Sequence, residues 1–130
     1  MVTLPAPPGH RRATYDCKPL RVLWERYPGV YTPENTVMVD DLRRNYVLNK
    51  QNGLVCRPFK KAHTRGRGDR ELHRLKHYFL KIAPLESLAG LDHDRWEHYA
   101  RREIRAAEEA EAAEGGGEDG GEDGEGGVGE

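Results

Sequence analysis

Two adjacent carboxylates, Asp40 and Asp41, follow directly on the apolar stretch of NTVMVDDLRRN. Asn35 to Val39 reads as a short buried strand. In parallel α/β sheets, ligands bind beyond the carboxyl ends of the strands. Two carboxylates placed there make a hard-oxygen site suited to Mg²⁺. Neighbouring strand residues point to opposite faces, so one aspartate faces a ligand while the other caps the next helix or steadies the first. The plainer alternative is an ordinary aspartate helix cap with an exposed neighbour. Lys18 is the second chemically interesting residue. It lies just before Pro19, at the expected amino end of a helix, where free N–H groups favour anions and a lysine strengthens a phosphate site. Its plainer reading is a solvated lysine.

Other constellations are weaker. Residues 57–81 hold nine Lys and Arg against two acids, Asp69 and Glu71, with Phe59 and Tyr78-Phe79 among them. Basic residues with stacking aromatics suit nucleic acid, but a solvated helix face explains the run as well, and Phe79 falls in a helical core stripe. Nucleic-acid binding is therefore disfavoured. His73 and His77 share a helix face at i, i+4 but lack the glutamate of a zinc-protease helix. Asp92-His93-Asp94 spaces two acids like a nucleophile pair, yet no buried apolar strand precedes it, and helix capping accounts for it better.

The elements that would position these groups follow from periodicity. Leu20, Leu23, Trp24 and Tyr27 form a helical stripe that Pro19 opens and Pro28-Gly29 closes. Leu42 to Leu48 is expected to be helical, capped by one of the aspartates. Asn52-Gly53 marks a turn before a second strand, Leu54 to Phe59, which Pro58 ends or places at an edge. Residues 64–69 read as a loop. Leu72, Leu75, Phe79 and Ile82 mark a helix that ends near Pro84. A last helix spans about His93 to Glu114, with Trp96, Tyr99 and Ala100 inward and AAEEAEAAE projecting into solvent. Residues 1–16 lack periodicity and read as irregular, with at most a frayed strand near Val2–Leu4. Residues 115–130 are Gly, Glu and Asp with one Val, and are expected to be disordered.

Composition sets the bounds. The chain has 130 residues and 33% charged side chains, room for one domain at most. Mean hydropathy is -0.88. No apolar run approaches the ~18 residues of a membrane span, and the amino-terminal stretch lacks the apolar core of a secretory signal. Six of the 22 acids lie in residues 115–130, so residues 1–114 carry 16 acids against 21 Lys and Arg, a surplus of five positive charges. Two cysteines, Cys17 and Cys56, make no disulfide framework, and a reducing compartment, cytosol or nucleus, is the expectation.

Taken together, CKPLRVLWERY, NTVMVDDLRRNYVLNKQNGLVCRPFKKAH and LDHDRWEHY resemble the carboxyl-terminal half of the polymerase-tail phosphatases that carry a ubiquitin-like domain, a nuclear and proteasome-directed branch of the haloacid dehalogenase superfamily. The resemblance runs from about Cys17 to about Arg102. It implies an α/β fold with a partial Rossmann-like sheet of haloacid dehalogenase type. It further implies Mg²⁺-dependent protein serine/threonine phosphatase chemistry through a phospho-aspartate. By resemblance, Lys18 is the lysine that neutralises the phosphate, Asp41 a Mg²⁺ ligand and Asp40 a supporting acid. Implied substrates are phosphoproteins, including proteasome subunits and polymerase-tail peptides, and the implied location is the nucleus.

The departures define the remaining expectations. The chain contains neither the Asp-x-Asp pair that supplies nucleophile and general acid nor the Ser or Thr motif that holds the phosphate. Met1 falls where the family has an internal segment, which reads as a partial product or short isoform. The expected organisation is residues 1–16 irregular, 17–114 the carboxyl-terminal half of the phosphatase domain, and 115–130 a disordered tail. Such a chain is expected to be inactive alone, because Mg²⁺ and a lysine stabilise charge but attack nothing. The rival is a non-enzymatic module that uses residues 57–81 to bind acidic partners or nucleic acid.

Overall fold

The computed structural model describes residues 1–60 and 68–115. Residues 64–67 of the loop expected at 64–69, and 116–130 of the disordered tail expected at 115–130, lie outside them. The described elements are mixed α/β. Two strands, β1 (Val2–Pro5) and β2 (Thr14–Cys17), precede helix α1 (Arg21–Arg26). Strand β3 (Met38–Asp40), a 3₁₀ segment (Arg43–Asn52) and strand β4 (Gly53–Val55) follow. Helices α2 (Glu71–Ile82) and α3 (Trp96–Glu114) complete the order, with a short 3₁₀ turn, His93–Arg95, leading into α3. No described helix is long and apolar enough to cross a membrane.

The amino-terminal segment corrects the irregular reading of residues 1–16. β1 and β2 form an antiparallel hairpin with Thr3 opposite Asp16 and Leu4 opposite Tyr15. Its turn is written in local chemistry that periodicity does not register. Pro8 presets the backbone, Gly9 takes φ +87°, and His10 N–H donates to Pro7 O at 3.2 Å, the signature of a type II turn. Thr3 Oγ1 donates to Asp16 Oδ1 at 2.7 Å across the strands.

β3 and β4 are parallel, with Val39 opposite Leu54 and Asp40 opposite Val55. Parallel neighbours need a crossover of about a dozen residues, which the 3₁₀ segment supplies. It is kinked rather than α-helical: Tyr46 and Asn49 have non-helical angles. Three asparagines tie it to other parts of the chain. Asn45 Nδ2 donates to Asp40 Oδ1 at 2.8 Å, Asn49 Oδ1 accepts from Leu20 N–H at 2.8 Å, and Asn52 Nδ2 donates to Pro33 O and Thr36 O. Such long-range bonds compete with an uninterrupted helix.

Both strands are shorter than expected. Asn35–Val37 lie before β3, and Cys56–Phe59 lie beyond β4. β3 is also not fully buried: Val39 is 39% exposed. Among the described residues β4 is the one strand paired with β3, so no strand pairs along its other edge.

The core lies between β4 and the two long helices, where Leu54, Leu75, Tyr78, Ile82, Trp96 and Ala100 are buried together. On α2 the buried positions are Glu71, Leu75, Tyr78 and Ile82, whereas Leu72 is 82% exposed. The helix is thus rotated from the Leu72–Phe79 stripe, and hydrogen bonding accounts for the choice. Glu71 accepts from Arg57 N–H at 2.7 Å, and Tyr78 Oη lies 2.7 Å from His93 Nδ1. Burial pushes the Tyr78 phenol up to about 12 and the His93 imidazole down, against the pull of Asp92 and Asp94. Both therefore stay neutral near pH 7. On α3, Trp96 and Ala100 face inward and Tyr99 borders the core, while Glu108–Glu114 are exposed, as the pattern predicts.

Candidate functional site

The site lies where β2, β3 and the 3₁₀ segment converge. β2 delivers Lys18 one residue past its end, and the Lys18 N–H donates to Asn45 O at 2.7 Å. That bond pins the backbone of Lys18 against the crossover. β3 ends on Asp40, whose side chain is 8% exposed while that of Lys18 is 52% exposed. Lys18 Nζ donates to Asp40 Oδ2 at 2.7 Å. The other carboxylate oxygen accepts from Leu42 N–H at 2.9 Å and from Asn45 Nδ2 at 2.8 Å.

Asp40 therefore accepts from three donors, two on Oδ1 and one on Oδ2, and is oriented by backbone on one side. Burial pushes its carboxyl up, but the hydrogen bonds from Lys18, Leu42 and Asn45, with the lysine charge, outweigh burial and hold it below its ordinary value of 3.8. An aspartate so engaged serves to fix the ammonium. Lys18 has three N–H donors, one of which is spent on Asp40. The rest stay with the exposed part of the side chain, available to an anion.

A depressed native pKa means the unfolded state binds the proton more readily. The stabilisation from Asp40 is thus present in full above pH 3.8 and is lost as pH falls through the native value. In an acid series of thermal midpoints, the wild-type chain is expected to lose stability more steeply below about pH 4 than Asp40→Asn. Parallel profiles would show that the pair contributes nothing.

The sequence-predicted residues sort unevenly. Lys18 and Asp40 are brought together. Asp41 is exposed and bears no hydrogen bond to its carboxylate among the described residues. It lines a depression of about 570 Å³ with Arg43, Cys56, Arg57 and Trp96, next to the one of about 630 Å³ that Lys18, Leu42 and Asn45 help to line. Asp40 itself lines neither depression and meets the second only through Lys18 and Asn45, which it bonds. The helix-end argument for Lys18 does not hold. α1 has six residues, and the Leu20 N–H that would greet an anion is taken by Asn49 Oδ1.

Asn45 is the functional residue that sequence reasoning missed. It holds Asp40 with its side chain and Lys18 with its carbonyl. Its signal was present, an asparagine five residues beyond a strand-end aspartate, but spacing alone does not distinguish it from Asn49 or Asn52. Asp92 Oδ1 accepts from Asp94 N–H at 3.1 Å, and Asp94 pairs with Arg43 at 2.5 Å, so this acid pair caps and braces. In the basic stretch, Arg57 pairs with Glu97 at 2.8 Å and Lys81 with Glu103 at 2.5 Å. The fit for Mg²⁺ is partial. Asp41 offers an unengaged hard-oxygen carboxylate, both oxygens of Asp40 are already hydrogen-bonded, and no group of three or more candidate ligands exists among the described residues. Mg²⁺ is commonly held by one or two carboxylates plus water and phosphate oxygens, so Asp41 fits as a contributor to a shell rather than as its whole.

Residues 10–89 match the family described as NLI interacting factor-like phosphatase. The chain is 48% identical over 94 residues to the ubiquitin-like domain-containing CTD phosphatase of Arabidopsis thaliana, covering 72% of this chain and 28% of that protein. It is 43% identical over 99 residues to ubiquitin-like domain-containing CTD phosphatase 1 of Danio rerio and of Homo sapiens, covering 76% of this chain and 30% of each relative. The chain thus spans less than a third of the length of these relatives.

Proposed function

The chain belongs to the NLI interacting factor-like phosphatase family, of haloacid dehalogenase type, and on that premise we propose that residues 17–114 are the carboxyl-terminal half of a Mg²⁺-dependent protein serine/threonine phosphatase domain. In this reading β3 and β4 belong to a larger Rossmann-like sheet whose further strands pair along the open edge of β3. Lys18 neutralises the substrate phosphate, Asp40 and Asn45 hold Lys18 in place, and Asp41 contributes to the Mg²⁺ shell. The observation that carries the reading is the Lys18–Asp40 pair at 2.7 Å, at the carboxyl end of a parallel strand.

Aspartyl-phosphate chemistry needs a carboxylate nucleophile in line with phosphorus. The sequence offers no Asp-x-Asp after an apolar strand, and its one such spacing, Asp92 and Asp94, is spent on capping and on Arg43. Bound Mg²⁺ would spread the developing charge on the phosphoryl oxygens. Lys18 supplies fixed positive charge to the same group. Neither forms a bond to phosphorus, so these residues bind and orient a phosphate without cleaving its ester.

The substrates on this reading are phosphoproteins, with proteasome subunits and polymerase-tail peptides as the classes that the sequence resemblance implies, and the location is the nucleus. The 130-residue chain alone is expected to hydrolyse a small aryl phosphate in Mg²⁺ no faster than buffer does. Turnover that Asp41→Ala abolishes would overturn the view that the nucleophile lies outside this chain. The rival reading as a basic interaction module is less well supported, since Arg57 and Lys81 are engaged with acids of α3.

A further inference from the structure

The depression beside Lys18 carries two arginines as well as the lysine. It measures about 630 Å³, and its wall includes Arg12 from the approach to β2, Arg44 from the 3₁₀ segment, and Lys18 itself. Asp16 is the one acid on that wall, and it already accepts a hydrogen bond from Thr3. Neither Arg12 nor Arg44 pairs with a carboxylate among the described residues. With Lys18 already paired to Asp40, the two guanidinium groups are unmatched cations of this concavity, and together they raise its local positive potential.

The side-chain types are informative. A guanidinium presents a planar fork that meets phosphate oxygens two at a time, whereas an ammonium acts as a point charge. The wall therefore offers one point charge, Lys18, and two forks beside it. An extended peptide advances about 3.3–3.6 Å per residue, so a concavity of this volume spans two or three residues. We propose that Arg12 and Arg44 form a second anion subsite beside Lys18, which selects peptides carrying a second phosphate two or three residues from the first. The proposal rests on the reading of Lys18 as the residue that meets the substrate phosphate. It adds that the hairpin, by delivering Arg12, takes part in substrate choice.

The test is fluorescence anisotropy with the whole 130-residue chain in metal-free buffer, so that no turnover intrudes. The probes are labelled peptides of one sequence with no phosphoserine, one phosphoserine, or two phosphoserines separated by two residues, plus a form with glutamate in place of the second phosphoserine. The doubly phosphorylated peptide is expected to bind at least about tenfold more tightly than the singly phosphorylated one, about 1.4 kcal/mol, and the glutamate form less tightly than the doubly phosphorylated one. Arg12→Gln with Arg44→Gln is expected to erase that preference, with a smaller loss of single-phosphate affinity from the reduced local charge. Both side chains are exposed, so the fold should survive, and an unchanged circular dichroism melting curve verifies this. Equal affinity for one and two phosphates, no binding of either, or a preference that persists in the double variant each overturns the subsite. If Lys18→Ala leaves single-phosphate affinity untouched while the arginine variant still erases the preference, the reading of Lys18 fails and the arginine subsite stands.

Discussion

Replacing Trp96 with alanine is expected to cost about 3–5 kcal/mol of stability, the range for removing a large aromatic from a core. Trp96 is 2% exposed and sits where β4, α2 and α3 meet. Its ring neighbours Tyr78, with centroids 6.3 Å apart, and its Nε1–H donates to Val55 O at 2.8 Å. Truncation would therefore open a cavity and orphan a strand carbonyl together, and an orphaned buried acceptor adds about 1–3 kcal/mol by itself. Domains of this size hold only about 5–15 kcal/mol in total, and the core around Trp96 is small. A urea titration followed by circular dichroism is expected to show a transition moved to far lower denaturant or lost entirely. Trp96→Phe keeps most of the volume and should fall between the two. A loss under about 1 kcal/mol for the alanine variant, below the core-truncation range, would mean the helices do not rest on this residue.

Gly53 is the second position of large effect, for a different physical reason. Its φ is -98°, a value open to any residue, so no backbone strain demands glycine. The demand is steric: a Cβ at Gly53 would fall inside the ring of Tyr46, which is only 3% exposed and cannot swing aside. Gly53→Ala is expected to cost about 1–3 kcal/mol as overpacking, and more if the crossover must shift. The effect should depend on the ring. In a Tyr46→Ala background the same substitution should cost less than about 0.5 kcal/mol, since the coupling of touching residues disappears with the contact. Equal costs in both backgrounds would place the strain elsewhere. The consequence for the site is direct, because the segment carrying Tyr46 also carries Asn45, which holds Asp40 and Lys18.

How much of this was legible in the sequence depended on which physical signal carried each element. The apolar spacing of α2 and α3 and the breakers around α1 placed those helices, because burial of a helix face leaves a 3.6-residue trace. On α2 the same trace placed Leu75 and Ile82 in the core and Phe79 beside it, but misplaced Leu72 and missed Glu71 and Tyr78. Leu72 is greasy but free, while Glu71 is buried because Arg57 N–H and Arg74 engage its carboxylate. Hydropathy cannot see a satisfied charge. The hairpin was missed because its strands, VTLP and TYDC, are too short and polar to alternate cleanly. The parallel strands were overdrawn because apolar runs continue past the point where pairing stops. At the site, residue types and order singled out Lys18 and the Asp40-Asp41 pair as candidates, with their roles supplied by the resemblance, but did not say which aspartate meets the lysine. That outcome is decided by Asn45 and the Leu42 N–H, which turn Asp40 toward Lys18, and no pattern in the chain announces such a long-range arrangement.

The central claim is that Lys18 and Asp41 serve one ligand, a phosphate with its Mg²⁺, although they line neighbouring depressions. Isothermal titration of inorganic phosphate into the 130-residue chain, with and without Mg²⁺, tests it most directly. The account predicts that Mg²⁺ tightens phosphate binding at least about tenfold, a coupling of about 1.4 kcal/mol, and that Lys18→Ala and Asp41→Ala each abolish that coupling. Phosphate affinity indifferent to Mg²⁺, or a coupling that survives Asp41→Ala, would contradict it.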